Sequence, residues 1–273
     1  FWSTLSLNMP DFTRFGRSQR DQLVGQTLGL PTTMTLFAVL AVFTASAATV
    51  VYAGTDVDVW NPVSLVAQLG NPIVTILALF AVALATLTTN VAANLVSPSY
   101  DFSNAWPRMI SFRTGGIITA IVGVLIQPWY LFSNTEIYIF TWLGFYGGAT
   151  GAIAGVLIAD YWVMRRTAVK LGDLYRGAGA YRYAGGFNWR AIVALAIGAI
   201  LAVGGAYTAP GTEGPFPEGG LIGFLHIELP WGGFLYDYSW IVGLLAAFLV
   251  YWALAAVFPE ERVAAEPAAE ITA

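Results

Sequence analysis

The chain contains no cysteine and a single histidine, His226. The first absence excludes a disulfide framework and thiolate metal sites. The second excludes a histidine-rich metal cluster. Charge is scarce too. Asp, Glu, Lys and Arg make up 10% of the 273 residues, against about 25% in an ordinary soluble domain. That deficit is too large for a surface that faces water on all sides. The net charge of −4 comes with no basic stripe interleaved with aromatics, so nucleic acid is set aside as a partner. No GxxxxGK[ST], GxGxxG, HExxH or nucleophile-elbow pattern occurs, and the chain is not read as an enzyme and needs no cofactor.

What the chain has instead is apolar length. Hydrophobic residues make up 57% of it, and the mean hydropathy is +0.67. Six charge-free runs, at 31–53, 71–97, 114–132, 137–159, 191–209 and 239–258, are full-length candidates, each meeting the roughly 20 mostly apolar residues that a membrane helix needs. Residues 1–9 read as half a span ending at Met9-Pro10-Asp11. The expected class is an all-α integral membrane protein.

The cations fix an orientation. Arg14, Arg17 and Arg20 lie in segment 10–30, and Arg108 and Arg113 in 98–113. Arg165, Arg166, Lys170, Arg176, Arg182 and Arg190 lie in 160–190, and Arg262 in the tail. These twelve are every Lys and Arg in the chain. The alternate connections 54–70, 133–136 and 210–238 hold none, carrying Asp56, Asp58, Glu136, Glu213, Glu218, Glu228 and Asp237 instead. The positive-inside rule makes the basic side cytoplasmic. The chain then enters mid-membrane heading inward and ends in the cytoplasm. It opens on Phe1-Trp2 with no basic region ahead of an apolar run, so no signal peptide is expected and an N-terminally incomplete protein is.

Tryptophans and tyrosines near the span ends (Trp60, Trp106, Trp129, Tyr161, Trp162, Trp189) read as an interfacial belt. Gly144, Gly147, Gly148, Gly151 and Gly155 read as close helix packing rather than a gate. Segment 208–238, rich in Pro and Gly, reads as an irregular external loop, with His226 a surface residue. The tail 259–273 reads as cytoplasmic, and its Ala/Glu-rich part 264–273 as disordered.

One run is not purely apolar. Residues 81–95 carry Thr86, Thr88, Thr89, Asn90 and Asn94, and hydroxyls and carboxamides in hydrocarbon are costly unless satisfied. At 100° per residue, Asn90 and Asn94 share a face with Thr86 one turn before. Thr88 and Thr89 share the adjacent face with Ala85, at i+3 and i+4 from it. Two hydroxyls can there converge on the Ala85 carbonyl, and three neutral oxygens suit a monovalent cation such as sodium if a second helix adds more. The asparagines offer amide donors and acceptors to a planar solute with alternating N–H and C=O groups. Each residue alone has a plainer role. Membrane threonines bond back to the i−4 carbonyl, and an asparagine often makes an interhelical hydrogen bond of about 1 kcal/mol. Five in nine positions favour a binding region.

Several stretches resemble the nucleobase:cation symporter family of the first type, which includes permeases for cytosine, uracil, allantoin and hydantoins. They are Trp2-Ser-Thr-Leu-Ser-Leu-Asn-Met-Pro-Asp-Phe-Thr-Arg14, Gly25-Gln-Thr-Leu-Gly-Leu-Pro31, Thr88-Thr-Asn-Val-Ala-Ala-Asn-Leu-Val-Ser-Pro98, Pro107-Arg-Met-Ile-Ser-Phe-Arg-Thr-Gly115, Ala154-Gly-Val-Leu-Ile-Ala-Asp-Tyr-Trp162 and Asp173-Leu-Tyr-Arg176. The resemblance implies an inverted-repeat, LeuT-like transporter fold of twelve spans with its site at the midplane. On that numbering, residues 1–165 are the second five-helix repeat, from the inner half of helix six to helix ten. Residues 166–190 are a cytoplasmic loop, and 191–258 are two C-terminal helices with an external loop. Helices one to five are missing. It further implies that Trp2 stacks on the substrate ring and that Asn90 and Asn94 bond its edge. Ala85, Thr88 and Thr89 match the family's sodium-binding positions, with sodium or a proton as the coupling ion. The function expected is symport of a nucleobase, ureide or hydantoin with a cation across the plasma membrane by alternating access, the fragment being inactive alone. The rivals are an amino-acid carrier of the same fold, which would need an anion-binding group in the membrane, and a non-transporting subunit of a membrane complex.

Overall fold

The computed structural model describes residues 3–133, 137–174, 176, 179–183, 185–208, 214–228 and 235–259. Every regular element among them is helical. The chain divides into two compact units, Asn8–Leu125 on the one hand and Phe1–Leu7 with Ile126–Ala273 on the other.

The unit Asn8–Leu125 opens on the end of α1 (Ser3–Thr13), which passes through Pro10. A proline lacks the N–H for one helical bond, but the next turn recovers when the Arg14 amide reaches the Pro10 carbonyl at 3.1 Å. The expected stop at Met9-Pro10-Asp11 is therefore corrected to Thr13. The expected connection 10–30 is also mostly helical. It holds α2 (Gln19–Thr27), capped by the Ser18 hydroxyl on the Asp21 amide, and the start of a π-helical stretch, Leu28–Thr32. Pro31 explains the stretch. It cannot bond the carbonyl four residues back, and a wider turn hands that carbonyl to the next amide. α3 (Thr33–Val51) continues without a break, so that Gln19–Val51 is one helix of 33 residues.

After the short α4 (Pro62–Val66), Asn71 starts α5 (Pro72–Asn90), its Oδ1 accepting from the Ile73 and Val74 amides with Pro72 in the first turn. Pro at the first position loses a bond that no helix start can make. α5 runs through a π stretch, Val91–Val96, into α6 (Ser97–Ala105). The whole is 34 residues, about 50 Å at 1.5 Å per residue, longer than a hydrocarbon core of roughly 30 Å. The connection expected from residue 98 thus begins only after Ala105. α7 (Phe112–Leu125) packs on α6, where a Cβ on Gly115 would lie 2.7 Å from the Ser99 carbonyl oxygen.

The expected span 114–132 is broken. α7 ends at Leu125, Gln127 adopts φ 55°, and α8 (Pro128–Phe132) begins anew. Pro128 stands at the break, its ring disfavouring the helical conformation for the residue before it.

The unit that begins at Ile126 is built on three helices, α9 (Gly144–Ile158), α11 (Trp189–Val203) and α12 (Ser239–Val257), with α10 (Leu171–Leu174) a single turn in the 165–190 segment. α9 is extended by π stretches at Ile137–Leu143 and Ala159–Met164. Four of the five glycines singled out, Gly144, Gly148, Gly151 and Gly155, are close-packed as expected. A Cβ on Gly148 would lie 2.8 Å from the Ser239 Cβ, and those on Gly151 and Gly155 would strike the backbone carbonyls of Trp240 and Leu244. The answering faces were not legible beforehand. They are small residues every fourth position, Ala194, Gly198 and Ala202 on α11 and Ser239, Gly243 and Ala247 on α12, all buried. Small side chains let backbones approach where lipid removes the hydrophobic drive to associate. α11 stops at the Gly204-Gly205 pair rather than reaching 209.

At one end of this bundle a polar network ties distant segments together. Tyr251 donates to Asp160 Oδ1 at 2.6 Å, Arg165 Nε to Asp160 Oδ2 at 2.6 Å, and Arg165 Nη2 to the Tyr183 hydroxyl at 2.7 Å. Asn188 donates to the Tyr251 hydroxyl at 3.1 Å, and Arg190 to the Phe258 carbonyl at 2.6 Å. At the other end Tyr236 donates to the Thr141 carbonyl at 2.7 Å and Ser239 to that of Gly144 at 3.0 Å. His226 is half-buried rather than a surface residue, its ring 4.9 Å from that of Tyr207.

Candidate binding site

The polar residues singled out from sequence lie at the junction of α5 and its π stretch. α5 has no buried residue along its 19 positions. Ala85, Thr86, Thr88, Thr89, Asn90 and Asn94 are all exposed, while Ala93 and Ser97, on the far side of the π turn, are buried at 6% and 1%. The junction therefore turns one small-residue face inward and leaves its carboxamides and hydroxyls outward.

The asparagines act as one unit. Asn94 Nδ2 donates to Asn90 Oδ1 at 2.8 Å. That bond uses one N–H of Asn94 and leaves its Oδ1 and second N–H, a neighbouring acceptor and donor in one plane. The Asn90 amide group remains as a further donor. The same pairing fixes the Asn94 side chain in one orientation, which lowers the entropy of holding a ligand there.

The threonines divide. Thr86 donates to the Val82 carbonyl at 2.8 Å, the local bond usual in membrane helices. Thr88 donates to Leu84 at 2.9 Å and to Ala85 at 3.1 Å. Its proton is thus committed to the backbone while its oxygen lone pairs stay outward beside the Ala85 carbonyl. Thr89 makes no such bond among the described residues, although Ala85 lies at its i−4 position. One hydroxyl, not two, therefore converges on the Ala85 oxygen. No three His, Cys, Asp or Glu side chains gather as a metal cluster among the described residues, and the oxygens of this junction are all neutral. Trp2 lies outside the described residues.

The π stretch over Val91–Val96 had no sequence expectation behind it. Such turns occur often at functional sites, but four are present among the described residues, so the turn alone does not mark one. The Asp160–Arg165–Tyr251 network was also unforeseen. Its signal, an Asp and an Arg five residues apart at the end of an apolar run, is weak.

Together these features define a multi-pass helical membrane protein with a neutral polar face on one of its spans. Among the described residues, four helices are long and apolar enough to cross a membrane, and two shorter ones are apolar. Residues 1–243 match the family of permeases for cytosine/purines, uracil, thiamine and allantoin, and the chain belongs to that family. It is 39% identical to an allantoin permease of Bacillus subtilis, over 97% of this chain and 49% of that protein. It is 35% identical to the purine-uracil permease NCS1 of Arabidopsis thaliana, over 92% and 40%. Among solved structures it is similar to Mhp1, a nucleobase-cation-symport-1 family transporter, in a closed conformation with bromovinylhydantoin bound. The TM-score is 0.53 and the identity 32%, over 78% of this chain and 40% of that one. The chain spans about half or less of the length of these relatives.

Proposed function

We propose that this chain is the second half of a cation symporter that imports a planar heterocycle (a nucleobase, ureide or hydantoin) across the plasma membrane. Residues 1–165 are read as the second five-helix repeat, 166–190 as a cytoplasmic loop, 191–258 as two further spans and 259–273 as a cytoplasmic tail. The observation that carries the reading is the paired Asn90–Asn94 carboxamide unit, 2.8 Å apart, on a charge-free span. Nucleobases, allantoin and hydantoin share a ring edge with adjacent C=O and N–H groups. The outward Oδ1 and N–H of Asn94 match that edge with two hydrogen bonds, and Trp2 supplies a stacking face. Asn90 holds Asn94 in place and adds a donor.

Sodium or a proton is the coupling ion. For sodium, the Ala85 carbonyl and the Thr88 and Thr89 hydroxyls supply part of a shell of neutral oxygens, and helices from the other half of the transporter supply the rest. Such an ion joins the α5 span to that other half, so that its arrival favours one packing of the two over another, and coupling follows from that difference. The test is uptake of labelled hydantoin, uracil and allantoin into vesicles bearing the full-length protein, with and without a sodium gradient. Uptake of at least one, driven by sodium or by a proton gradient, is expected. Transport of none, with the protein correctly inserted, would refute the reading.

A further inference from the structure

The described residues between Met164 and Trp189 are held by several side-chain ties. Arg165 is clamped by Asp160 at 2.6 Å and by the Tyr183 hydroxyl at 2.7 Å, and its guanidinium lies 4.8 Å from the Tyr181 ring centre. The Tyr181 hydroxyl in turn accepts from the Lys170 amide at 2.8 Å, and Asp173 accepts from the Ala180 amide at 3.4 Å. These ties leave an open hollow of about 460 Å³, lined by Arg176 and Arg182, the Asp173 carboxylate that pairs with Arg176, Leu174, Tyr181 and two glycines. That volume falls in the range of small-molecule sites.

The charge on it is one-sided. Residues 160–190 carry six cations against two carboxylates, Asp160 and Asp173. Asp160 is spent on Arg165. Asp173 lies 3.8 Å from Arg176, whose side chain is still 76% exposed. Arg166 and Arg182 are exposed. Beside them stand large apolar side chains that water does not favour, with Leu171 at 70%, Phe187 at 68% and Trp162 at 63% exposure. The segment starts and ends on apolar helices, so it lies at the depth of the bilayer surface. Cations and exposed apolar groups mixed at that depth fit an anionic leaflet, which attracts the charges while its acyl boundary takes up the apolar groups.

We infer that residues 165–190 form a docking site for anionic phospholipid headgroups of the inner leaflet, with Arg176 and Arg182 holding the phosphate in the cavity and Leu171 and Phe187 resting on the acyl boundary. This rests on the membrane orientation proposed above and not on the transported solute.

The test is native mass spectrometry of the delipidated full-length protein with added phosphatidylglycerol or phosphatidylcholine. Phosphatidylglycerol should be retained in preference. Arg176→Gln with Arg182→Gln should weaken that retention about 30-fold, the loss expected for two cations at an anionic surface. Arg20→Gln, an exposed cation elsewhere on the same side, should leave it unchanged. Equal retention of the two lipids, an unaffected double variant, the same loss in Arg20→Gln, or displacement by inorganic phosphate would each overturn the site. Should the double variant fail to fold, the wild-type lipid preference and its resistance to inorganic phosphate decide alone. Lipid retention is read without transport, so its failure leaves the transport reading standing.

Discussion

Gly151→Ala places one methyl group where α9 meets α12. The added Cβ would overlap the Trp240 carbonyl oxygen and lie 3.0 Å from both its carbon and its Cα. Carbon atoms prefer about 3.5–4.0 Å, and a backbone carbonyl cannot rotate away as a side-chain end can. The helices must then part by several tenths of an ångström or more, and overpacking of this kind costs roughly 1–3 kcal/mol. Alanine recovers about 1 kcal/mol of helix propensity, which leaves a net loss of up to roughly 2 kcal/mol. At about 2–4 °C per kcal/mol for a chain of this size, the midpoint should fall by up to several degrees. Gly123→Ala is the matched control, since nothing lies within 4 Å of the new methyl group, and its midpoint should hold or rise. Gly148→Ala meets the Ser239 and Val203 side chains at 2.8 Å, groups that can give, and should cost less than Gly151→Ala. Combined with Gly151→Ala, its effect should fall short of additive, because one separation relieves both clashes. Thermal unfolding in detergent, followed by tryptophan fluorescence, reads all four. A Gly151→Ala midpoint equal to that of Gly123→Ala would refute the close approach.

Tyr251→Phe removes the donor to Asp160 and the acceptor for Asn188 while keeping the ring. A bond to a charged group is worth about 1.5–3 kcal/mol, so the unfolding midpoint should drop, and an unchanged midpoint would make the network dispensable. Tyr236 is 5% exposed, and burial pushes its phenol from 10.0 up to about 12. The folded state keeps that proton longer than the unfolded one, so the stability it supplies is whole below pH 10 and is lost as pH rises toward 12. Tyr236→Phe should lower stability at neutral pH and flatten the alkaline fall, as read by unfolding midpoints across that range. Where sodium drives uptake, Thr89→Val should raise the concentration needed for half-maximal uptake without altering the midpoint, whereas Thr86→Val should alter neither. Equal effects of the two on uptake would break the division between a coordinating and a back-bonded threonine.

Four of the six expected spans stand, among the described residues, as helices long and apolar enough to cross a membrane, legible because lipid tolerates so few charges. Their ends were not legible. Residues 98–105 are helical although Asp101, Asn104 and two serines make them polar, because a solvated helix turn has no hydropathy signature. The break at Gln127 was written in Pro128 but was masked by apolar residues on both sides. The Asn90–Asn94 pair was legible because four residues bring side chains together on a helix whatever surrounds it. The different fates of Thr88 and Thr89 were not, since adjacent positions look alike until rotamers are chosen. The Tyr251–Asp160 bond spans 91 residues of sequence, a separation over which local pattern carries no information. The small-residue faces of α11 and α12 went unread for a similar reason. Alanine every fourth position is common in any apolar helix and gains meaning only when the partner glycines are seen across from it.

The most direct measurement is equilibrium binding of labelled hydantoin, uracil and allantoin to the full-length protein and to its Asn94→Ala variant. Saturable binding of at least one, lost in Asn94→Ala while the unfolding midpoint is kept, is the expected result. Binding that survives Asn94→Ala unaltered would remove the carboxamide pair from the site. Binding of none of the three would favour a chain whose polar face serves only to pack against a partner.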